Sequence, residues 1–522
     1  MKRLLISYRR DGLLFALLAL FVGGVMAALL RHPGYTDAYY YFNAGQRLVQ
    51  GKGLTDAALW TYIGAPAGLP APSHLYWMPL ASLVAAAGMW IGGPTFDGAQ
   101  LLLVPFYAGL ALTGFALGAL LGQSRRAAWL SGLLTLFSGY FMPFWTTTDT
   151  FAIYGLVGAL ALVTMGLGRR SGNWRWFALS GAMGGLAHLA RADGLLLVGV
   201  LILVALWPGG CRLRQRVIAA AVGVLCYGLV MAPWFLRNLN LTGSALPVGG
   251  MQTAWMRDYN EIVNYPPGIT FEHFTSWGLD NILASRWEAF TNNFKTFIGV
   301  EGMLILSPLM LLGLWRRRRD PLLSGFWLYA LGLHAVMTVV FAFPGYRGGL
   351  FHSASALVPF WMALAVLGLD DALAWIAPRR RWRLSEARFF FGAVLIVFAV
   401  LFSLVIFNGQ VSGWNNAGGV FYEIAAKLPP DSVVMINDPS AMYYFTGIIG
   451  VVVPNAPPEV IPELAQRYGV NTIILDPNRT APMDGLYQGR NVPSFLTETY
   501  AGSNLRIFRV KDLHANTTNA TP

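Results

Sequence analysis

The run Leu13–Leu30, LLFALLALFVGGVMAALL, passes directly into Arg31-His32-Pro33-Gly34-Tyr35-Thr36-Asp37-Ala38-Tyr39-Tyr40-Tyr41, and reading this junction decides the fold. A helix rising 1.5 Å per residue over that run reaches roughly the ~30 Å of a hydrocarbon core. Comparable apolar runs recur at 98–121, 128–145, 150–168, 217–236, 297–315, 322–343, 352–369 and 389–408. Two shorter runs, 176–190 and 194–208, read as a paired helical hairpin. Hydrophobic residues make up 55% of the 522-residue chain and charged residues 12%. Mean hydropathy is +0.51, far from soluble-domain values. The sequence therefore describes a polytopic α-helical membrane protein. No small-residue cleavage site precedes the polar loop, so the first run is expected to be a retained span.

A pI near 9.7 raises the question of nucleic acid, and the distribution of charge answers it. Basic residues gather in alternate loops: Lys2, Arg3, Arg9, Arg10; Arg125, Arg126; Arg169, Arg170, Arg175; Arg212, Arg214, Arg216; Arg316 to Arg319; and Arg379, Arg380, Arg381, Arg383, Arg388. These loops hold 21 of the 37 Lys and Arg but only five of the 25 acids, Asp11, Asp320, Asp370, Asp371 and Glu386. That is the positive-inside pattern. It predicts a cytoplasmic N-terminus, an outer-facing Asp37 and a multi-pass protein of the cell (plasma) membrane. Of the two cysteines, Cys211 falls in a basic loop and Cys226 in an apolar run, which speaks against a disulfide or a cysteine metal site.

Threading the runs through this pattern predicts about 11 crossings. Parity excludes one apolar stretch, 78–93, which is read as a re-entrant or interfacial helix. The expected organisation is a membrane domain over 1–408 with long outer loops at 31–97 and 237–296. Loops of that length are usually functional. Residues 38–50 are expected to form an amphipathic helix along the surface, stopping at Gly51 or Gly53. Beyond 409 the composition is that of a soluble domain. Strands are predicted at Ser432–Asn437, Gly450–Pro454 and Asn471–Leu475, and helices after Pro439 and at 457–468, giving an extracytoplasmic α/β domain over 409–512. Asp438-Pro439 and Asp476-Pro477 follow two strand ends. A disordered tail is expected over 513–522.

Chemistry-bearing residues concentrate at the predicted outer ends of the spans. Asp37, Arg47, Lys52 and Asp56 lie in the first loop, followed by His74, Tyr76 and Trp77. Asp149 closes Thr146-Thr147-Thr148-Asp149. Arg191-Ala192-Asp193 occupies one outer turn, Arg237-Asn238 another, and Tyr346-Arg347 with His352 the last. Ionisable groups at membrane depth are costly and tend to mark a site, although a single Arg at a helix end is more often a snorkelling anchor. Phosphate-binding Gly-Lys-Ser/Thr loops, His-Glu-x-x-His and Gly-x-Ser-x-Gly are all missing, which argues against an ATP-driven machine. Span glycines such as Gly155 and Gly168 read as packing positions.

The order of these parts resembles the GT-C superfamily of membrane glycosyltransferases, in particular the protein O-mannosyltransferase and lipid A aminoarabinose transferase branches. The resemblance rests on Thr36-Asp37 after the first span, Tyr40, Ala44 and Gly51-Lys52-Gly53, then Met78-Pro79-Leu80. Further along it rests on Arg191-Ala192-Asp193-Gly194, Pro233-Trp234 with Arg237-Asn238 and Gly243, and Tyr346-Arg347 before Pro359. It covers about 31–360. Ala38 follows Asp37 where the O-mannosyltransferases have an adjacent Asp-Glu pair, and Met78-Pro79 stands in place of Pro-Pro.

The resemblance implies a GT-C-like bundle that moves a sugar from a polyprenyl-phosphate donor to an extracytoplasmic lipid, glycan or protein acceptor, with inversion. Asp37 is then the general base, and Asp149 a second acid that orients the acceptor or holds a metal. Arg237, Arg347 and Lys52 are the phosphate-binding candidates, with Tyr40, Tyr41, His74, Tyr346, His352 and Arg191 lining the substrate. Some members use a divalent metal; the sequence forms no clear ligand set for one. A transporter or flippase for a lipid-linked saccharide would instead show mid-span charge and two-fold internal symmetry. Mid-span positions read as nearly free of charge. A non-catalytic surface scaffold is the remaining alternative.

Overall fold

The computed structural model describes residues 8–209 and 212–511. Lys2, Arg3, Cys211 and the expected tail at 513–522 lie outside them. The described chain divides into two compact units, each assembled from separated stretches. The first comprises residues up to His32, Trp77–Leu246 and Leu283–Trp414; the second Pro33–Tyr76, Pro247–Ile282 and the residues from Asn415 onward.

The first unit is helical. Among the described residues, seven segments are long and apolar enough to cross a membrane: Arg9–Leu29, Phe96–Gly122, Phe151–Ser171, Leu213–Thr242, Pro321–Val339, Ala342–Arg379 and the one beginning at Leu384. Leu80–Gly92 and Ala192–Leu206 are shorter apolar helices. The protein is thus a polytopic helical membrane protein. Its helices cross at small residues: a Cβ on Gly313 would lie 2.1 Å from the Leu364 carbonyl oxygen, and one on Gly368 would lie 2.0 Å from that of Leu309. Only glycine at both positions allows the backbones this close.

Two apolar runs that read as continuous are broken. Helix Arg125–Leu136 stops, and a 3-10 turn, Gly139–Phe144, follows. Gly139 adopts φ +62°, and Pro143 has no N–H to extend an α-helix. The run 297–315 opens as a π-turn at Phe297–Glu301, and a regular helix resumes only at Ser307–Arg317. Met303 and Leu304 between them have positive φ. Glu301, fully buried, faces His334 Nε2 at 3.1 Å and accepts the Trp361 indole N–H at 2.8 Å. This is an ionisable pair inside a bundle where the sequence reading expects almost no charge.

At one end of this unit the few acids of the basic loops are all paired. Asp11 meets Arg125 and Asp370 meets Arg126, while Asp320 meets Arg170 and Asp371 meets Arg317, each at 2.6 Å. Glu386 pairs with Arg383.

The second unit is built on a six-stranded mixed sheet. In spatial order its strands are Ala58–Leu59, Gly450–Val451, Val434–Met435, Thr472–Leu475, Arg506–Val510 and Leu496–Ala501. The first four run parallel and the last two antiparallel. All four residues of Thr472–Leu475 are buried, as expected of a central strand covered on both faces. Tyr62, Met435, Val451, Ile473 and Phe508 form its core with the helix Ile461–Tyr468. The predicted surface helix is present as Thr36–Val49 but is buried along most of its length, from Ala38 to Gly45 and again at Arg47. Its tyrosines supply apolar bodies for packing and hydroxyls for internal bonds.

Candidate active site

Asp37 occupies the first turn of the helix Thr36–Val49, where the backbone dipole favours negative charge. The helix is held in place by polar contacts with the helix Pro439–Thr446. Thr36 Oγ1 donates to Asp438 Oδ2 at 2.7 Å, and Asn43 Nδ2 donates to the Ser440 carbonyl at 2.8 Å. Arg47 donates to the Tyr443 hydroxyl at 3.3 Å and to Thr55 at 2.8–3.0 Å. Asp438 in turn accepts the Ala441 N–H at 2.9 Å, capping that second helix. Burial raises the Asp438 carboxyl above the ordinary range, against the opposing pull of these donors.

Three of the predicted lining residues gather in the same unit. Tyr40 donates its hydroxyl to Asp56 Oδ2 at 3.1 Å and accepts the His74 backbone N–H at 2.8 Å. Burial and the Asp56 charge push its phenol well above the usual value. His74 is fully buried with φ +60°, its Nδ1 2.7 Å from Ser73 Oγ, and its ring stands edge-on to Tyr40 and tilted toward Tyr41. Lys52 is exposed on the turn between Gly51 and Gly53, both in positive φ.

In the first unit, Asp149 and His352 come together. Asp149 is 1% exposed; its Oδ1 accepts the Thr150 N–H, and its Oδ2 lies 3.0 Å from His352 Nε2. His352 Nδ1 lies 2.8 Å from the Gly348 carbonyl, and the imidazole stacks on Phe151 at 4.1 Å. The next residue, Ser353, donates to Asp193, and Arg191 donates to both Ser353 (3.0 Å) and Asp193 (3.2 Å). Asp149, His352 and Arg191 therefore belong to adjoining networks. Asp149 and His352 are also a carboxylate and an imidazole, ligand types that a divalent cation takes.

The remaining predicted residues have contacts of their own. Arg237 lies over the Trp234 ring at 4.4 Å and donates to Asn238 at 3.4 Å. Arg347 is exposed on the π-turn Gly345–Gly349, beside the Tyr346 hydroxyl, which Glu288 also reaches. Sequence reasoning missed the partnerships of Asp438 with Thr36 and of Ser353 with Asp193. Only the strand-end position of Asp438-Pro439 hinted at the first.

No family model matches this sequence, and no curated protein matches it. Solved structures do. ArnT from Cupriavidus metallidurans bound to undecaprenyl phosphate aligns over 95% of this chain and 97% of its own, with TM-score 0.57 and 15% identity. The chain shares the fold of this protein. The archaeal oligosaccharyltransferase AglB from Archaeoglobus fulgidus, in complex with an inhibitory peptide and a dolichol-phosphate, aligns over 92% of this chain and 71% of its own (TM-score 0.55, 13% identity). The mycobacterial arabinofuranosyltransferase AftD aligns over 97% of this chain and 42% of its own (TM-score 0.50, 14% identity). At these identities the likeness is one of fold, and no residue's role is transferred.

Proposed function

We propose that this chain is a membrane glycosyltransferase that moves a sugar from a polyprenyl-phosphate-linked donor to an acceptor outside the membrane, with inversion. The observation that carries the reading is the fold, shared along nearly its whole length with a protein solved with undecaprenyl phosphate bound. In the step, an acceptor hydroxyl or amine attacks the anomeric carbon from the face opposite the phosphate. Asp37 takes the acceptor's proton, and the bond from the anomeric carbon to the phosphate oxygen breaks. The departing polyprenyl phosphate gains negative charge, which Arg237 and Arg347 neutralise by charge-assisted hydrogen bonds. Lys52 is a third cation for the phosphate. The Asp149–His352 pair orients the acceptor, and Tyr40, Tyr41, His74, Tyr346 and Arg191 shape the substrate sites.

We further propose about 11 crossings, a cytoplasmic N-terminus and an extracytoplasmic α/β domain in the C-terminal region. The Asp11–Arg125 ion pair supports this topology: it joins the start of the first span to the end of Phe96–Gly122, two crossings later. That leaves no crossing for the 13-residue helix Leu80–Gly92.

The test is turnover of a lipid-linked sugar by purified protein in nanodiscs, with envelope material as acceptor. Release of polyprenyl phosphate together with a glycosylated product is expected. Consumption of a soluble nucleotide-sugar, with the lipid-linked sugar inert, would defeat the proposal.

A further inference from the structure

Within the first unit a groove of about 1150 Å³ runs between the segments carrying Phe290–Phe297, Leu311–Arg319 and Trp327–Val339. Its walls are aromatic and aliphatic, and Phe294, Trp315 and Leu331 are more than half exposed. Side chains lining it from Trp327 to Thr338 sit on one face of the helix Ser324–Val339. At 1.5 Å per residue that face is about 16 Å long, half of a ~30 Å hydrocarbon core. The length suits an acyl chain confined to one leaflet and is short for a long polyprenyl chain.

The groove is asymmetric in charge. Arg318 and Arg319 line one end. The neighbouring Arg317 is bound to Asp371, whereas Arg318 and Arg319 have no carboxylate partner among the described residues. Arg318 stands over the Trp315 ring at 4.0 Å, which directs its guanidinium along the groove wall. At mid-length Glu301 lies behind the wall: it accepts the indole N–H of Trp361 and lies 3.1 Å from His334 Nε2, and both of these rings line the groove. At the far end the Asn293 carbonyl oxygen is buried without a hydrogen-bond partner. A pre-shaped apolar slot ending at two guanidiniums that have no carboxylate partner among the described residues is complementary to one hydrocarbon chain joined to an anionic head group.

We propose that this groove is a binding site for an anionic glycerophospholipid, with its head group on Arg318 and Arg319 and an acyl chain along the face Trp327–Thr338. Its readout does not depend on transferase activity. The test is native mass spectrometry of the full chain exchanged into phosphatidylglycerol, phosphatidylcholine or undecaprenyl phosphate. Phosphatidylglycerol should be retained preferentially. The double variant Arg318→Gln/Arg319→Gln should weaken retention roughly 30-fold, two cations each worth about five-fold at an anionic surface. Leu331→Trp, which fills the slot, should abolish it. Photo-crosslinking of wild-type protein with phosphatidylglycerol carrying a diazirine in its acyl chain makes the result independent of variant folding. Adducts are expected within 290–297, 311–319 and 327–338. Equal retention of phosphatidylcholine, displacement by undecaprenyl phosphate, or adducts scattered over the lipid-facing surface would overturn the proposal.

Discussion

Asp438 accepts the hydroxyl proton of Thr36 at 2.7 Å, and Thr36 immediately precedes Asp37. A half-buried carboxylate just beyond a sheet strand thus fixes the first turn of the helix that carries the proposed base. Misplacing a catalytic group by as little as ~1 Å can cost about 100-fold in rate. Thr36→Val removes the donor while keeping the shape. It should lower kcat about 10-fold or more, the equivalent of one charge-assisted bond, with KM for the donor little changed. Steady-state kinetics decide this; a pure KM effect would place Thr36 in binding.

The same carboxylate sets a pH dependence. The Asp438 carboxyl is raised in the folded protein, chiefly by burial, and Asp476 is raised for the same reason. An acid raised on folding favours the folded state fully below its unfolded pKa, and this advantage is lost as pH rises through the folded value. Wild-type Tm should therefore fall relative to Asp438→Asn as pH rises from the ordinary carboxylate range toward that raised value. Thermal scans across that window, with parallel curves as the contrary outcome, test it.

Asp37→Asn keeps size and much of the hydrogen bonding but cannot accept a proton. Turnover is expected to drop roughly 100-fold or more in a folded, membrane-inserted protein. Near-normal transfer would reduce Asp37 to a helix-terminal acid.

Breaking the buried Asp149–His352 contact from one side leaves the other group short of a hydrogen bond, a loss of about 1–3 kcal/mol. Asp149→Asn and His352→Phe should each destabilise strongly, and the double variant should cost far less than their sum. A double-mutant cycle on unfolding midpoints measures this coupling, and additivity would refute it.

If Arg237 and Arg347 hold the phosphate, removing either should weaken donor use roughly 10- to 150-fold, from about 1.5–3 kcal/mol per charge-assisted bond. Arg→Lys should restore only part of it, because a point charge cannot reproduce the planar fork. Competition with polyprenyl phosphate reads the effect directly, while acceptor affinity should hardly move.

The helical membrane architecture was legible because hydrophobic length and loop charge are local properties of the chain. Breaks within apolar runs were not: Gly139 and Pro143 end a helix without lowering hydropathy, and neither do Met303 and Leu304 in positive φ. Candidate side chains could be named one at a time, but their partners could not. Thr36 and Asp438 are 402 positions apart, and Asp149 and His352 are 203. Burial of the helix Thr36–Val49 also escaped prediction, since three consecutive tyrosines suit an interface as well as a core.

The sheet has a consequence in time. Strand Ala58–Leu59 pairs with Gly450–Val451, and Tyr62 bonds the carbonyl of Val452 across 390 positions. At about 5–20 residues per second of synthesis, the early segment waits on the order of 20–80 s for its partner to emerge. Its exposed edge is only two residues long, which limits mispairing during the delay. A chain cut short before Val451 would insert its earlier spans yet keep that edge open, so closure of the sheet reports that synthesis has passed Val451.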